Sequence, residues 1–160
     1  MANRDILKVK TNVKELANLI TGFGFLSRQD VLVGIPQEAN ADHGGGVTNA
    51  ELLYIHTNGS PARGIPARPT IQPAVQDPVV KKRIQEKFKQ AFILGITGNK
   101  AGALKIYHQI GMIGANAAKA KFGVVGPPLK PATIARKGSS ATLIDTGALR
   151  NAVTYVVRKK

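Results

Sequence analysis

The pattern of apolar and polar positions first predicts a short amphipathic helix over residues 12–21. Asn12 with Glu15 three positions later has the form of a capping box, in which each side chain bonds the other residue's backbone amide. Gly22 and Gly24 are expected to end this helix, because glycine is common just beyond a helix C terminus. The apolar positions recur at steps of three and four: Val13, Leu16, Ala17 and Ile20.

Three further helices are predicted, a short one over residues 49–56 and two long ones over 78–95 and about 101–122. With about 100° between successive residues, the apolar positions of each long helix fall on one side. In the first they are Val80, Ile84, Phe88, Ala91, Phe92 and Gly95, and Phe88 and Phe92 are expected to be core residues. In the second they are Ile106, Tyr107, Ile110, Gly111, Ile113, Gly114, Ala117 and Ala118. The small residues of the second helix would let another backbone approach closely, that of the first long helix or of a sheet.

Two short runs rich in β-branched residues predict strands. Residues 30–35 are apolar and are closed by Pro36, which indicates a mostly buried strand, and residues 153–157 fit a terminal strand. The predicted fold class is therefore α+β. It comprises a small mixed or antiparallel sheet packed by two long helices and one N-terminal helix, with long extended loops.

Three stretches lack this periodicity. Residues 37–48 contain three consecutive glycines and predict a flexible loop. Five prolines between residues 60 and 78 predict an extended connector. Residues 123–142, rich in Pro, Lys and small polar residues, predict an extended basic loop or arm. At 160 residues, the whole of 1–160 is expected to form a single domain.

The charge is high and unevenly placed. The chain carries 23 Lys and Arg against 9 Asp and Glu, a formal net charge of +14. Residues 1–77 hold seven of each sign, so the whole excess lies in residues 78–160. One face or end should therefore meet a polyanion or an acidic neighbour, the alternative being lysines that only aid solubility.

Other features narrow the class of protein. The absence of cysteine excludes disulfide scaffolds and cysteine-based zinc sites. The first residues lack a signal-peptide pattern, and no apolar window is long enough to span a membrane, so we expect a protein made in the cytosol without a membrane partner.

Groups that could carry out catalysis are scarce. His43 lies in the glycine-rich loop, His56 at a helix end and His108 on the polar side of a long helix, where each is expected to be exposed or locally bonded. A metal site of Asp42, His43 and His56 can be imagined, but their spacing matches no metal motif. We therefore expect no enzymatic activity, no cofactor and no metal.

Two segments carry a resemblance to a known family. The first is Tyr54-Ile55-His56-Thr57-Asn58-Gly59-Ser60 followed by Ile65-Pro66-Ala67-Arg68-Pro69, with Val33-Gly34-Ile35-Pro36 upstream. The second is Pro128-Leu129-Lys130-Pro131-Ala132-Thr133-Ile134-Ala135-Arg136-Lys137-Gly138, then Leu143-Ile144-Asp145-Thr146-Gly147-Ala148-Leu149-Arg150-Asn151. Over roughly residues 31–158 the chain resembles the tail-completion and neck (head-to-tail joining) proteins of long-tailed double-stranded DNA bacteriophages. It departs from them at Thr70, where such proteins often place a bulky aromatic residue.

The resemblance implies a structural virion protein, assembled in the host cytoplasm and located in the phage neck. It implies a homo-oligomeric ring, six-fold or twelve-fold, that joins the DNA-filled head to the tail. The implied partners are further copies of the chain, the connector or adaptor protein, and the tail terminator or tail tube proteins. Candidate contacts with a subunit or partner are Arg63, Pro66, Arg68, Pro69, Lys130, Arg136, Lys137 and Arg150.

The basic half leaves a second function open, a sequence-independent DNA-binding module. Lys82, Arg83 and Lys89 lie on the polar side of one long helix and are the candidate DNA-facing residues, in a ring as in a free module. Aromatic residues make up only 5% of the chain and tryptophan is absent, so stacking platforms for bases are not indicated. Contact with genomic DNA would be transient, non-specific and sensitive to salt.

Overall fold

The computed structural model describes residues 2–42 and 45–160, and their side chains from residue 13 onward. The described residues form seven α-helices and one two-stranded antiparallel sheet, which confirms the α+β class. In chain order the elements are α1 (Ala2–Leu26), β1 (Gln29–Gly34), α2 (Asn49–Asn58), α3 (Ile71–Gln76), α4 (Pro78–Ile96), α5 (Lys100–Lys121), α6 (Pro131–Lys137), α7 (Ala148–Ala152) and β2 (Thr154–Lys159).

The first helix is much longer than predicted. α1 runs on both sides of residues 12–21, so the predicted start at Asn12 and the predicted end at Gly22 and Gly24 are wrong. Gly22 does not end the helix but allows another helix to pack closely against it. A Cβ atom at this position would lie 2.3 Å from the carbonyl oxygen of Gly95, so only glycine lets the backbones of α1 and α4 meet here.

The two long helices form where they were predicted. α4 begins at Pro78, and the side chain of Asp77 caps it by accepting the amides of Val79 and Val80. α5 begins after Asn99, whose side chain accepts the amide of Gly102. Proline and a capping side chain at the first turn satisfy or remove amides that lack a partner within the helix.

The buried core has two parts. The Tyr107 hydroxyl donates a hydrogen bond of 3.2 Å to the carbonyl oxygen of Leu26 and so ties α5 to the end of α1. The part near this bond contains Leu26, Ala91, Ala103 and Tyr107. The other part contains Leu53, Ala74, Ala118, Phe122, Leu149 and Val153. Val153 is fully buried and leads directly into β2.

The sheet joins the segment that follows α1 to the last strand of the chain. β1 pairs with β2 from Gln29↔Lys159 to Gly34↔Thr154 and packs on α5. Added Cβ atoms at Gly111 and Gly114 would collide with Tyr155 and Val33 respectively, so the small residues of α5 admit the sheet, one of the two predicted alternatives.

One face of the sheet is open. Leu32, expected in a mostly buried strand, points away from α5 and is 42% exposed, opposite the exposed Val156 in the register. The residues of β1 that face α5 are only half-buried, so the prediction of a mostly buried strand is wrong. A two-stranded sheet that is covered on one side leaves alternate residues in solvent.

The proline-rich stretches are partly helical, which corrects the prediction of extended chain. α3 lies within residues 60–78 and has Pro73 in its first turn, where no amide donor is needed. α6 lies within residues 123–142 and begins with Pro131. Within 37–48, residues 37–39 form a 3-10 turn, and positions 43 and 44 lie outside the described residues.

Candidate functional site

The two segments that carry the family resemblance meet at one cleft of about 600 Å³. Leu52 and His56 of α2 line it together with Arg68, and these come from the first part of the chain. α6 contributes Arg136 and Lys137, while the residues from 143 to 149 complete the lining. The cleft therefore exists only in the folded subunit, because its lining residues are far apart in sequence.

Arg68 is the residue that joins the two segments. Its side chain is only 6% exposed, with Nε donating to the carbonyl oxygen of Pro127 at 2.8 Å and Nη2 to that of Pro128 at 3.2 Å. Its backbone amide donates to the carbonyl oxygen of His56. The planar guanidinium is therefore used within the chain.

His56 faces the cleft in a less solvated position than predicted. Its Nδ1 atom is buried and has no hydrogen-bond partner. Burial and, to a smaller extent, the charge of Arg68 lower the pKa of His56 below the ordinary value of 6.5. The imidazole is therefore neutral at pH 7, so the positive charge of the cleft comes from its Arg and Lys side chains.

The candidate contacts at α6 differ in exposure. Lys130, just before the helix, and Arg136 within it are both exposed. Lys137 is half-buried, and its Nζ donates to the carbonyl oxygen of Ala141. Arg136 is thus the cation of the cleft lining that is exposed to solvent.

The remaining candidate contacts lie outside the cleft lining. Arg150 is exposed on α7, and its Nε donates to the carbonyl oxygen of Lys119 at 3.3 Å. Arg63 and Pro66 are exposed, whereas Pro69 is half-buried. Of these residues, Pro66 lines a second cleft together with Lys130 and so lies close to the start of α6.

α1, which contains the helix predicted to be amphipathic, presents an apolar stripe. The stripe consists of five large side chains, each between 44% and 66% exposed: Val13, Leu16, Leu19, Ile20 and Phe23. Only the last turns of α1, around Gly22 and Leu26, reach α4. Nothing within the described residues covers this face.

α4 adds exposed apolar surface of its own. Phe88 and Phe92, predicted to be core residues, are both more than 40% exposed, and Ile93 is exposed as well. Phe88 still makes an edge-to-face contact with Tyr107, at 5.6 Å between ring centroids. The prediction of buried rings was therefore wrong, and the helix keeps apolar groups at the surface.

The candidate DNA-facing residues are all on the outside of α4. Lys82, Arg83 and Lys89 are exposed, and none of them makes an ion pair within the described residues. At helical spacing Lys82 and Lys89 share a side with Glu86, which reduces the local positive potential. Arg83 lies about 100° further round the helix.

Comparisons with known proteins give no match: no family model, no curated protein and no solved structure is significantly similar to this chain. Within the described residues, no three His, Asp or Glu side chains gather as metal ligands do. Over the same residues, no helix combines the length and apolar character that crossing a membrane requires.

Proposed function

We propose that this protein is a structural component of the neck of a long-tailed phage virion, where copies of it form a ring that joins head to tail. The α1 stripe is the observation that carries this proposal. Monomeric proteins rarely leave a contiguous row of large apolar side chains in water, and such surfaces mark protein contacts. Covering them yields about 25 cal/mol per Å² of apolar area removed from water.

Two further observations support the proposal. The segments that resemble neck proteins, although far apart in sequence, line the same cleft. The large formal charge of +14 suits a subunit that meets acidic neighbours or surrounds a DNA channel. The partners would be further copies, the connector or adaptor protein on one side, and the tail terminator or tail tube on the other.

The assembly is tested by placing a charge in the stripe. We expect light scattering of the purified protein, with and without its head connector, to give the mass of six or twelve subunits. Ile20→Asp and Phe23→Asp should each raise the protein concentration needed for half-assembly by about tenfold or more, because an unpaired carboxylate would be buried in the contact.

The matched control is Asn18→Asp, which adds the same charge to an exposed position on the opposite side of α1. It should assemble like the unmodified protein, and all three variants should keep its helical circular-dichroism signal. A protein that stays monomeric and has no affinity for connector or tail would contradict the proposal. Normal assembly of both stripe variants would show that the stripe is not part of the contact.

A second candidate function is sequence-independent DNA binding, which the exposed cations of α4 favour. Replacing Lys82, Arg83 and Lys89 by alanine should weaken binding to duplex DNA in a filter assay. The slope of log affinity against log salt concentration should fall by about one for each phosphate that is no longer neutralised. A control triple, Lys105, Lys130 and Lys159 to alanine, removes the same charge elsewhere. Equal weakening in both triples, or a flat slope in the unmodified protein, would contradict a site on α4.

A further inference from the structure

We infer that the cleft of each subunit receives Tyr54 and Glu51 of the next subunit. This inference rests on the ring proposed above. The two surfaces concerned lie on opposite sides of α2. Their composition, their charge and their placement each support this pairing.

The cleft is suited to an occupant that is both apolar and acidic. Its walls include the apolar residues Leu129 and Leu143, and its cations are Arg68, Arg136 and Lys137 against the single carboxylate of Asp145. Leu143 has a φ angle of 59°, a left-handed conformation that is costly for a residue with a branched side chain. Such strain is commonly found at binding sites.

The opposite side of α2 offers such an occupant. Tyr54 is 70% exposed, more than any other aromatic side chain for which exposure is described. Glu51 lies one turn before it, and Thr48 holds its carboxylate through the backbone amide at 2.8 Å and the hydroxyl at 2.9 Å. These hydrogen bonds lower the pKa of Glu51, so the group is ionised and already oriented. Tyrosine is among the residue types that contribute most to the binding energy of protein interfaces.

More negative charge lies close to this surface. The Asn40 side chain accepts the amide of Ala50 at 2.7 Å, which holds residues 37–42 against the start of α2. Glu38, in this segment, is exposed, and Arg63 is the cation that lines the same surface as Tyr54 and Glu51. The acids of the first half of one subunit would thus meet the basic second half of the next, which reduces the repulsion between subunits of charge +14.

The placement on α2 sets the symmetry of the contact. Leu52 and His56 point to the cleft, and Tyr54 lies midway between them in sequence, on the other side of the helix. One partner cannot fill the cleft and bind Tyr54 at the same time. Each subunit therefore contacts two different neighbours in the same head-to-tail manner, and a contact of this type forms a ring when the rotation between neighbours closes.

Cross-linking tests this contact directly, because the chain has no cysteine. A variant with both Ala50→Cys, beside Tyr54, and Ala148→Cys, in the cleft lining, keeps Tyr54 and Arg136 in place. Treated with a short bis-maleimide, it should give a ladder of covalent multimers that extends beyond the dimer. Either cysteine alone should give no such ladder. A control variant with Ala50→Cys and Lys89→Cys places the second thiol on α4, and it should also give no ladder.

The possible outcomes distinguish a failure of this contact from a failure of the proposed ring. A ring-sized mass in light scattering without a ladder from the Ala50–Ala148 pair of cysteines would overturn this contact and leave the ring standing. A ladder that stops at the dimer would overturn the head-to-tail arrangement. A protein that remains monomeric in the presence of its connector would overturn both.

A side-chain truncation gives an independent measurement. Tyr54→Ala should raise the concentration for half-assembly by about tenfold or more, whereas Tyr54→Phe, which keeps the aromatic ring, should change it less. Unchanged assembly of Tyr54→Ala would mean that the cleft takes another occupant, such as an acidic segment of a different protein, and would overturn the proposed contact.

Discussion

Replacing Arg68 by methionine is expected to lower the free energy of unfolding by about 3 kcal/mol, since a hydrogen bond to a charged group contributes about 1.5–3 kcal/mol. Methionine fills a similar volume but donates no hydrogen bond. The carbonyl oxygens of Pro127 and Pro128 would lose the donors Nε and Nη2 that now bind them. Urea denaturation monitored by circular dichroism measures the change.

The control for this variant is Arg63→Met, which removes the same type of side chain from an exposed position in the same proline-rich stretch. Its stability should change by no more than about 0.5 kcal/mol, as is usual for surface substitutions. If Arg68→Met changed the stability as little as Arg63→Met, water would be replacing the guanidinium at the two carbonyl oxygens. Arg68 would then not hold the two segments together.

Gly22→Ala is expected to lower the free energy of unfolding by about 2 kcal/mol, the usual size of the effect of overpacking a close contact. The added Cβ atom meets backbone atoms, the carbonyl oxygen of Gly95 at 2.3 Å and the Cα of Ile96 at 2.8 Å, so a side-chain rotation cannot relieve the overlap. α1 would have to move away from α4. Urea denaturation gives the overall change, and hydrogen exchange of α1 amides shows whether this helix detaches first.

Gly24→Ala, in the same helix, is expected to change the free energy of unfolding in the opposite direction. No atom lies within 4 Å of a Cβ at this position, and alanine is favoured over glycine inside a helix by about 1 kcal/mol. This variant should therefore be more stable than the unmodified protein. Two variants of the same sign would contradict the close contact between α1 and α4.

The long helices could be predicted because their information is local. Asp77 and Pro78 mark the start of α4, and the apolar residues of α5 repeat with the helical period, so each segment specifies its own structure. The same local rules failed at Gly22. A glycine that ends a helix and a glycine that admits a neighbouring helix look alike in sequence, and only the position of Gly95 distinguishes them.

The candidate site was harder to predict than the helices. Sequence reasoning singled out Arg68 and Arg136 but could not show that the first turns inward while the second stays in solvent. That difference depends on the carbonyl oxygens of Pro127 and Pro128, about sixty residues away along the chain. Tyr54 stood within a resembling segment, but its exposure depends on which side of α2 the core covers.

The pairing of β1 with β2 has a consequence for the order of folding. The strands lie near opposite ends of the chain, so closing the loop between them costs more chain entropy than forming the α4–α5 hairpin, whose contacts are local. The hairpin should form early and the sheet late. Val153, which leads into β2, packs in the same core cluster as Leu53 of α2 and Leu149 of α7, so late strand closure also completes the walls of the cleft. An incompletely folded chain would then have no finished cleft to offer, and only mature subunits could join the proposed ring.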